Sequence, residues 1–309
     1  ALREPADAEA RSRELAEALE RALPAGGPRV IHDLGCGSGS MGRWLAPLLS
    51  GPQHWVLHDR DTDLLALAVA QAPAHAVDGA PVTVEVRCTD LTRMGPRDLA
   101  GAGLITASAL LDLLTGEEME RLAGLCAGAG CPVLLTLSVV GRVKITPADP
   151  LDHRVAAAFD SHQRRTAERG RLLGPDAVDF AVATFRRQGA EVLVRPSPWR
   201  LGPAHAALVA GWFTGWVDAA VEQEPELVDP CEPYARRRLE QASAGELAVT
   251  VAHADLLVLP RGADARSVTK THGTSRSLPT SSSRRSTYRT LTPPGWGQSP
   301  VGVIGPVSR

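Results

Sequence analysis

The chain has 309 residues, 44% of them hydrophobic and 22% charged, with a net charge of −2. That is the balance of an ordinary soluble globular protein, long enough for a sizeable core in one large or two small domains, and with no run of eighteen apolar residues no membrane span is expected. Five cysteines (Cys36, Cys88, Cys126, Cys131, Cys231) fit neither a disulfide framework nor zinc spacing and read as reduced thiols of a cytoplasmic protein.

Abundant Ala, Gly, Pro and Arg beside few Lys and Phe looks like high-GC bacterial coding. The chain opens on Ala1 rather than Met, so a natural N-terminus ahead of it is allowed for. The first stretch, "ALREPADAEARSRELAEALERAL", is acidic and helical, unlike a signal peptide.

"LPAGGP" then breaks the pattern, and "RVIHDLG" reads as a short buried strand. A helix through "SMGRWLAPLL" leads to a second strand, "QHWVLHD", and a second helix, "TDLLALAVAQA", which Thr62 is expected to cap. "PVTVEVRCTD" alternates as a third strand. "GAGLITASALLDLL" is a fourth, followed by "TGEEMERLAGLCAGAG", where Thr115 and Glu118 form a capping-box pattern. "CPVLLTLSVVG" is the fifth strand, and "PDAVDFAVATFRRQGAEVLVRPSPW" gives a helix and a sixth. A helical segment from Pro203 to about Ala244 precedes the seventh strand, "ELAVTVAHADLLVLP".

This alternation predicts an α/β fold: a Rossmann-like, seven-stranded, mostly parallel sheet with helices on both faces and a helical insertion (about 203–244) before the last strand. The expected organisation is an N-terminal helix over 1–29, a main domain over 30–262 and a tail over 263–309. From Asp264 to Arg309, seven Lys/Arg stand against one acid. "TSRSLPTSSSRRSTYRTLTPP" dilutes that charge and offers little to bury. A disordered extension is therefore expected, and a nucleic-acid partner is not.

"VIHDLGCGSGSMGRWLA" carries the strongest signal. Gly35, Gly37 and Gly39 end the first strand at the sheet edge where open α/β folds bind ligands, and they let a ligand lie against bare backbone. Gly37, Gly39 and Gly42 satisfy G-x-G-x-x-G, and an acid follows about twenty residues on, so a dinucleotide is one candidate. Asp33 points elsewhere. A carboxylate just before the loop repels pyrophosphate and suits an ammonium group. Asp59, ending the second strand, can accept both hydroxyls of a ribose, and Asp90, ending the third, an exocyclic amine. Ammonium, ribose and adenine are the polar parts of S-adenosylmethionine.

"VIHDLGCGSG", "WVLHDRD", "CTDL" and "LITASALLDLL" resemble, in order and spacing, the successive motifs of class I SAM-dependent methyltransferases, over roughly Val30 to Pro260. "AFDSHQRR", "LLGPDAV", "RPSPWRLG" and "GWVDAAVE" resemble an actinobacterial group of such enzymes, labelled trans-aconitate methyltransferase-like by loose similarity. The resemblance implies that the backbone from Gly35 through Cys36, Gly37 and Ser38 to Gly39 cradles the methionine part, with Asp33 near its amino group. It implies Asp59 on the ribose, Arg60 over the adenine edge, Asp90 and Leu91 at the adenine, and Thr106 to Ser108 as floor. It also implies an antiparallel sixth and seventh strand, from which the chain departs by placing about forty helical residues between them.

Other residues carry weaker signals. His162 in "FDSHQRR" is the candidate general base, set against a helix-surface histidine. Arg164 and Arg165 suit a carboxylate substrate or plain solvent. Asp112 reads as a cap, Cys36 as a space-filler and Arg3 as a surface residue or a partner of the cofactor carboxylate. Trp199, Trp212 and Trp216 read as packing or as an aromatic substrate wall. His153 and His205 carry no signal. No HExxH, P-loop, GxSxG or metal cluster occurs.

The expected function is S-adenosylmethionine-dependent transfer of a methyl group to a small molecule, by in-line displacement and mainly by alignment, with S-adenosylhomocysteine as product. A homodimer is allowed for. An NAD(P)-dependent oxidoreductase is the alternative, weakened by Asp33 and by the lack of a Tyr-x-x-x-Lys pair at Tyr234 or Tyr288. A non-catalytic SAM-binding scaffold is the third.

Overall fold

The computed structural model describes residues 2–24 and 26–260. The tail expected over 263–309 lies outside the described residues. Among those described, no helix is long and apolar enough to cross a membrane.

The sheet is built from β1 (Arg29–Leu34), β2 (Gln53–Asp59), β3 (Val82–Cys88), β4 (Leu104–Ser108) and β5 (Val133–Thr146), all parallel to one another. The hairpin β6 (Thr166–Ala167) and β7 (Gly170–Arg171) stands apart, and β8 (Glu191–Pro196), β9 (Trp199–Leu201) and β10 (Ala248–Leu259) complete the set. The order is β3-β2-β1-β4-β5-β10-β8. The short β9 pairs with the same β10 and makes an eighth strand that the sequence pattern does not separate from β8. β10 runs antiparallel to β5, β8 and β9. The order switches direction at β1, where β2 lies on one side and β4 on the other, and that is where ligands of open α/β sheets bind.

Period-two alternation sorts the strands' side chains onto two faces. Ile31, Leu104, Leu134 and Leu257 pack under α2 (Arg13–Ala22), α3 (Ser40–Leu45) and α4 (Thr62–Ala70). Ile105, Leu135, Leu256 and Val258 pack under α5 (Gly116–Ala129) and α7 (Ala177–Arg187). α3 settles on Trp55 at Gly42, where even a Cβ would make ordinary contact, 3.6 Å from the indole.

The capping box on α5 is present: the Thr115 hydroxyl accepts from Glu118 N–H, and the Glu118 carboxylate accepts from Thr115 N–H. The cap of α4 is Asp61 rather than Thr62. Its carboxylate accepts from the N–H groups of Asp63 and Leu64, a bond the shorter Thr62 side chain inside the first turn does not make.

A third core lies beyond the sheet. There α6 (Pro150–Gln163), α8 (Ala206–Gln223) and α9 (Val228–Ser243) surround Trp212, Phe213, Trp216 and Tyr234. Arg238, fully buried in α9, donates twice to Asp152 of α6 at 2.7 Å, and Tyr234 Oη donates to the same carboxylate at 2.6 Å. Burial of this kind is costly for each ion alone and is offset here by the mutual pairing, with Arg238 Nε left without a partner.

The N-terminal segment forms two helices rather than one, α1 (Glu4–Ala10) and the amphipathic α2, parted at Arg11 and Ser12. Ser12 caps α2 through its hydroxyl, and its own N–H is held by Asp255 Oδ2 at 2.7 Å. The other oxygen of Asp255 accepts from Leu137 N–H and from the Ser197 hydroxyl. One buried carboxylate of β10 thus ties together α2, β5 and the β8–β9 corner. Register shifts on either side of His253 and Ala254 turn it inward.

Candidate functional site

The carboxyl ends of β1 and β4, with α1 and the start of α3, enclose a cavity of about 100 Å³ whose lining includes Asp33, Gly35, Cys36, Gly37, Ser38 and Ser108. Gly35, Gly37 and Gly39 all have positive φ (66°, 53° and 83°), conformations that cost little only for glycine. A Cβ built on Gly37 would meet no atom within 4 Å, while one on Gly39 would collide with Ala68 at 3.0 Å. Gly37 is therefore bare on the cavity side, and Gly39 is bare to let α3 close on α4.

Asp33 is fully buried at the cavity floor. Its Oδ1 accepts from the Thr106 hydroxyl at 2.8 Å, and its Oδ2 has no partner. Burial pushes its pKa up from 3.8 to about 7, against the Thr106 bond and the charge of Arg11. An unpaired buried carboxyl oxygen is costly, so this site is prepared for a donor, best of all a cationic one.

Asp59 stands beside the loop rather than in the cavity lining. Its carboxylate accepts from Gly37 N–H at 2.8 Å and Asp61 N–H at 3.0 Å. Arg60 is exposed just after it. Asp90 is exposed too and caps the turn of Leu91–Arg93, accepting from the N–H and hydroxyl of Thr92, which hold its pKa down. Leu91 reaches inward, with Cδ1 3.6 Å from where a Gly35 Cβ would lie. Burial pushes the Cys36 thiol up, so no thiolate forms there at neutral pH.

Sequence reasoning missed Arg11. Only 2% exposed, it crosses from the α1–α2 junction to the hydroxyls of Ser40 and Ser108 at 3.1 Å and leaves its Nε without a partner. Arg3 and Asp7 of the same segment line the first cavity and also a second of about 180 Å³. Facing that second space are Asp112, Trp199, Trp212 and His253, together with Ala109 and Leu137. Ala109 and Leu137 have positive φ, 51° and 55°, a strain of about 1–2 kcal/mol each that clusters at ligand sites.

Asp112 is buried instead of capping toward water, and burial pushes its pKa up to about 6. Burial lowers that of His253 to about 4, so the imidazole is neutral at pH 7. Trp216 sits behind Trp212, stacked at 5.5 Å, in the core.

His162 is brought to neither cavity. It ends α6, with Nε2 3.4 Å from Glu222 of α8 and Nδ1 3.4 Å from Arg165. Arg164 is committed to Asp176 at 2.7 and 2.8 Å. A larger crevice of about 880 Å³, lined by Cys126, Cys131 and Phe185, opens where β5 begins. That is the amino edge of the parallel strands, the wrong side for a ligand of this fold. Among the described residues no group of three or more His, Cys, Asp or Glu could hold a metal ion.

No protein-family model matches the chain, and no curated protein does. Among solved structures it is similar to a cyclopropane-fatty-acyl-phospholipid synthase-like protein from Lactobacillus casei, with 16% identity over 84% of this chain and 91% of that one and a TM-score of 0.47. It is also similar to the YcgJ protein of Bacillus subtilis (10% identity, 81% and 100% of the chains, TM-score 0.46). A mycolic acid cyclopropane synthase complexed with SAH gives 13% identity, 78% and 82% coverage and a TM-score of 0.43. At these identities and scores no residue role carries across.

Proposed function

We propose that the chain is a class I SAM-dependent methyltransferase acting on a small molecule, with 30–262 as its catalytic domain. The observation that carries this reading is the unpaired, buried oxygen of Asp33 on the floor of a glycine-lined cavity at the sheet's switch point.

When bound, the cofactor supplies a methyl group activated on a sulfonium sulfur. In this reading Asp33, held in orientation by Thr106, receives its ammonium group, and Arg3 at the cavity mouth answers its carboxylate. Asp59, already fixed by two backbone N–H groups, takes the ribose hydroxyls. The nucleoside end lies outward over Arg60, Asp90 and Leu91, beyond the small buried cavity. Arg11 ties Ser40 to Ser108 and so fixes the wall between the two spaces. The chain's contribution is to orient the reactants and keep water out, which is how a displacement of this kind is accelerated without a nucleophile of the enzyme's own.

A dinucleotide fits less well, because its pyrophosphate would meet Asp33 where no cation inside the cavity pairs with the free oxygen. All five cysteines are free, as the thiols of a protein in a reducing compartment are. Calorimetry with S-adenosylhomocysteine and with NADH on wild type and Asp59→Ala tests the reading. Micromolar binding of the first is expected, weakened at least tenfold by the substitution. Binding of NADH alone would overturn it. Transfer of labelled methyl from SAM to a metabolite pool separates an enzyme from a scaffold.

A further inference from the structure

We infer that the second cavity takes a small amine, bound as its ammonium form against Asp112 and the indoles of Trp199 and Trp212, so that the atom methylated is nitrogen. The inference rests on the methyltransferase reading above and adds the acceptor's chemical class.

The charge balance of the cavity decides the sign of its ligand. Arg3 is the one cation in the lining, and it pairs with Asp7 at 3.5 Å. Asp7 also accepts from Trp199 Nε1 at 3.0 Å. Arg3 and Arg165 act on Asp112 only through space and neither forms an ion pair with it, so its charge is offset only in part. Asp112 is 4% exposed, and among the described residues no other residue donates a hydrogen bond to its carboxylate. His253, neutral at pH 7, does not offset it. A carboxylate or phosphate ligand would place like charges together in a space of low dielectric, and a neutral hydroxyl would leave Asp112 without a counter-charge. An ammonium group brings both the charge and the donors that Asp112 lacks. It also gains attraction from an indole face, a term of about 0.5–2 kcal/mol.

A further polar group is independent of the acids. Trp212 lines the cavity, and its Nε1 is buried without a hydrogen-bond partner. A buried donor left unpaired in the free protein calls for a partner from outside the chain, a water or a ligand's polar group. The ligand is thus a compact amine with a second polar group on its body, sized to about 180 Å³. Ser108 lines the cofactor cavity and Ala109 the second one, so the two spaces meet at consecutive residues.

In the transfer, the ammonium gives one proton to the Asp112 carboxylate, and from there it passes to solvent. The freed nitrogen lone pair forms the bond to the methyl carbon, and the electron pair of the broken carbon–sulfur bond stays on sulfur. The product leaves as a methylated ammonium ion.

The test uses the full chain saturated with S-adenosylhomocysteine and matched ligand sets of one size, such as tyramine, tyrosol and 4-hydroxyphenylacetate, or ethanolamine, ethylene glycol and glycolate. Calorimetry should show the amine of at least one set binding at least tenfold more tightly than its neutral and acidic counterparts. Asp112→Asn should erase that preference while leaving the affinity for S-adenosylhomocysteine within twofold, which also shows that the variant is folded. Label from SAM should appear on the amine nitrogen. If S-adenosylhomocysteine binds but no amine is preferred in wild type, or the preference survives in Asp112→Asn, the inference is overturned and the methyltransferase reading stands. If S-adenosylhomocysteine does not bind, both fall.

Discussion

Lowering the pH from 8 to 6 should weaken cofactor binding about tenfold through Asp33. Burial lifts this carboxyl from 3.8 to about 7, a rise that corresponds to about 4 kcal/mol of disfavoured charge. A ligand ammonium seated on the free Oδ2 requires the ionised form. Below pH 7 the empty protein holds a proton that binding must expel, so affinity falls as pH falls and levels off above about pH 8. With a folded value near 7 the apparent dissociation constant is multiplied by about 2 at pH 7 and about 11 at pH 6. Asp33→Asn keeps the shape and the Thr106 contact but cannot ionise. Its affinity at pH 8 should drop about tenfold to a hundredfold, the loss of one hydrogen bond to a charged group, and the pH slope should vanish. Calorimetry with S-adenosylhomocysteine at pH 6, 7 and 8, in buffers of different ionisation enthalpy, also counts the released proton. Equal affinity at pH 6 and 8 in wild type, or an unchanged slope in the variant, would refute the reasoning.

Gly37→Ala and Gly39→Ala should separate ligand contact from packing. At Gly37 the added methyl enters open space at φ 53°; stability should fall by about 1–2 kcal/mol, while S-adenosylhomocysteine binding weakens at least tenfold. At Gly39 the methyl meets Ala68 at 3.0 Å, so urea unfolding should report a loss of about 2–4 kcal/mol. Equal stability losses in the two variants would contradict the assignment. Asp255→Ala removes the acceptor of Ser12 N–H, Leu137 N–H and the Ser197 hydroxyl, and should cost about 3 kcal/mol or more. A cost no greater than that of Glu14→Gln, which breaks an exposed pair with Arg195, would show that the junction is not held this way.

The sheet was legible because its signals are local. Alternation in "RVIHDL" and "QHWVLHD", glycines at alternate positions after an acid, and an acid closing the second strand all lie within a few residues of one another. Arg11 was not legible, since an arginine in "EARSRELAE" looks solvated until Ser108, ninety-seven positions away, is brought beside it. Asp112 has the local context of a cap, and only the packing of its turn against β5, α7 and the Gly174–Asp176 turn makes it a buried acid. His253 falls in an alternating strand whose register shifts on both sides of it, so counting faces misplaces it. His162 shows the converse. A segment that follows β5 need not return to the cleft, and here α6 packs on α8 and carries the histidine with it.

The elbow between α1 and α2 is tied down at both of its residues. Ser12 is clasped by Asp255 and Arg11 is threaded to Ser40 and Ser108, so the chain beyond the elbow is moored. Ahead of the elbow, α1 is held by Arg43, which donates to Glu4, and by Trp199, which donates to Asp7. Seven helical residues make a rod of about 10 Å. One such rod contributes Arg3 and Asp7 to both chambers, so a change in how it is seated is felt in the two at once.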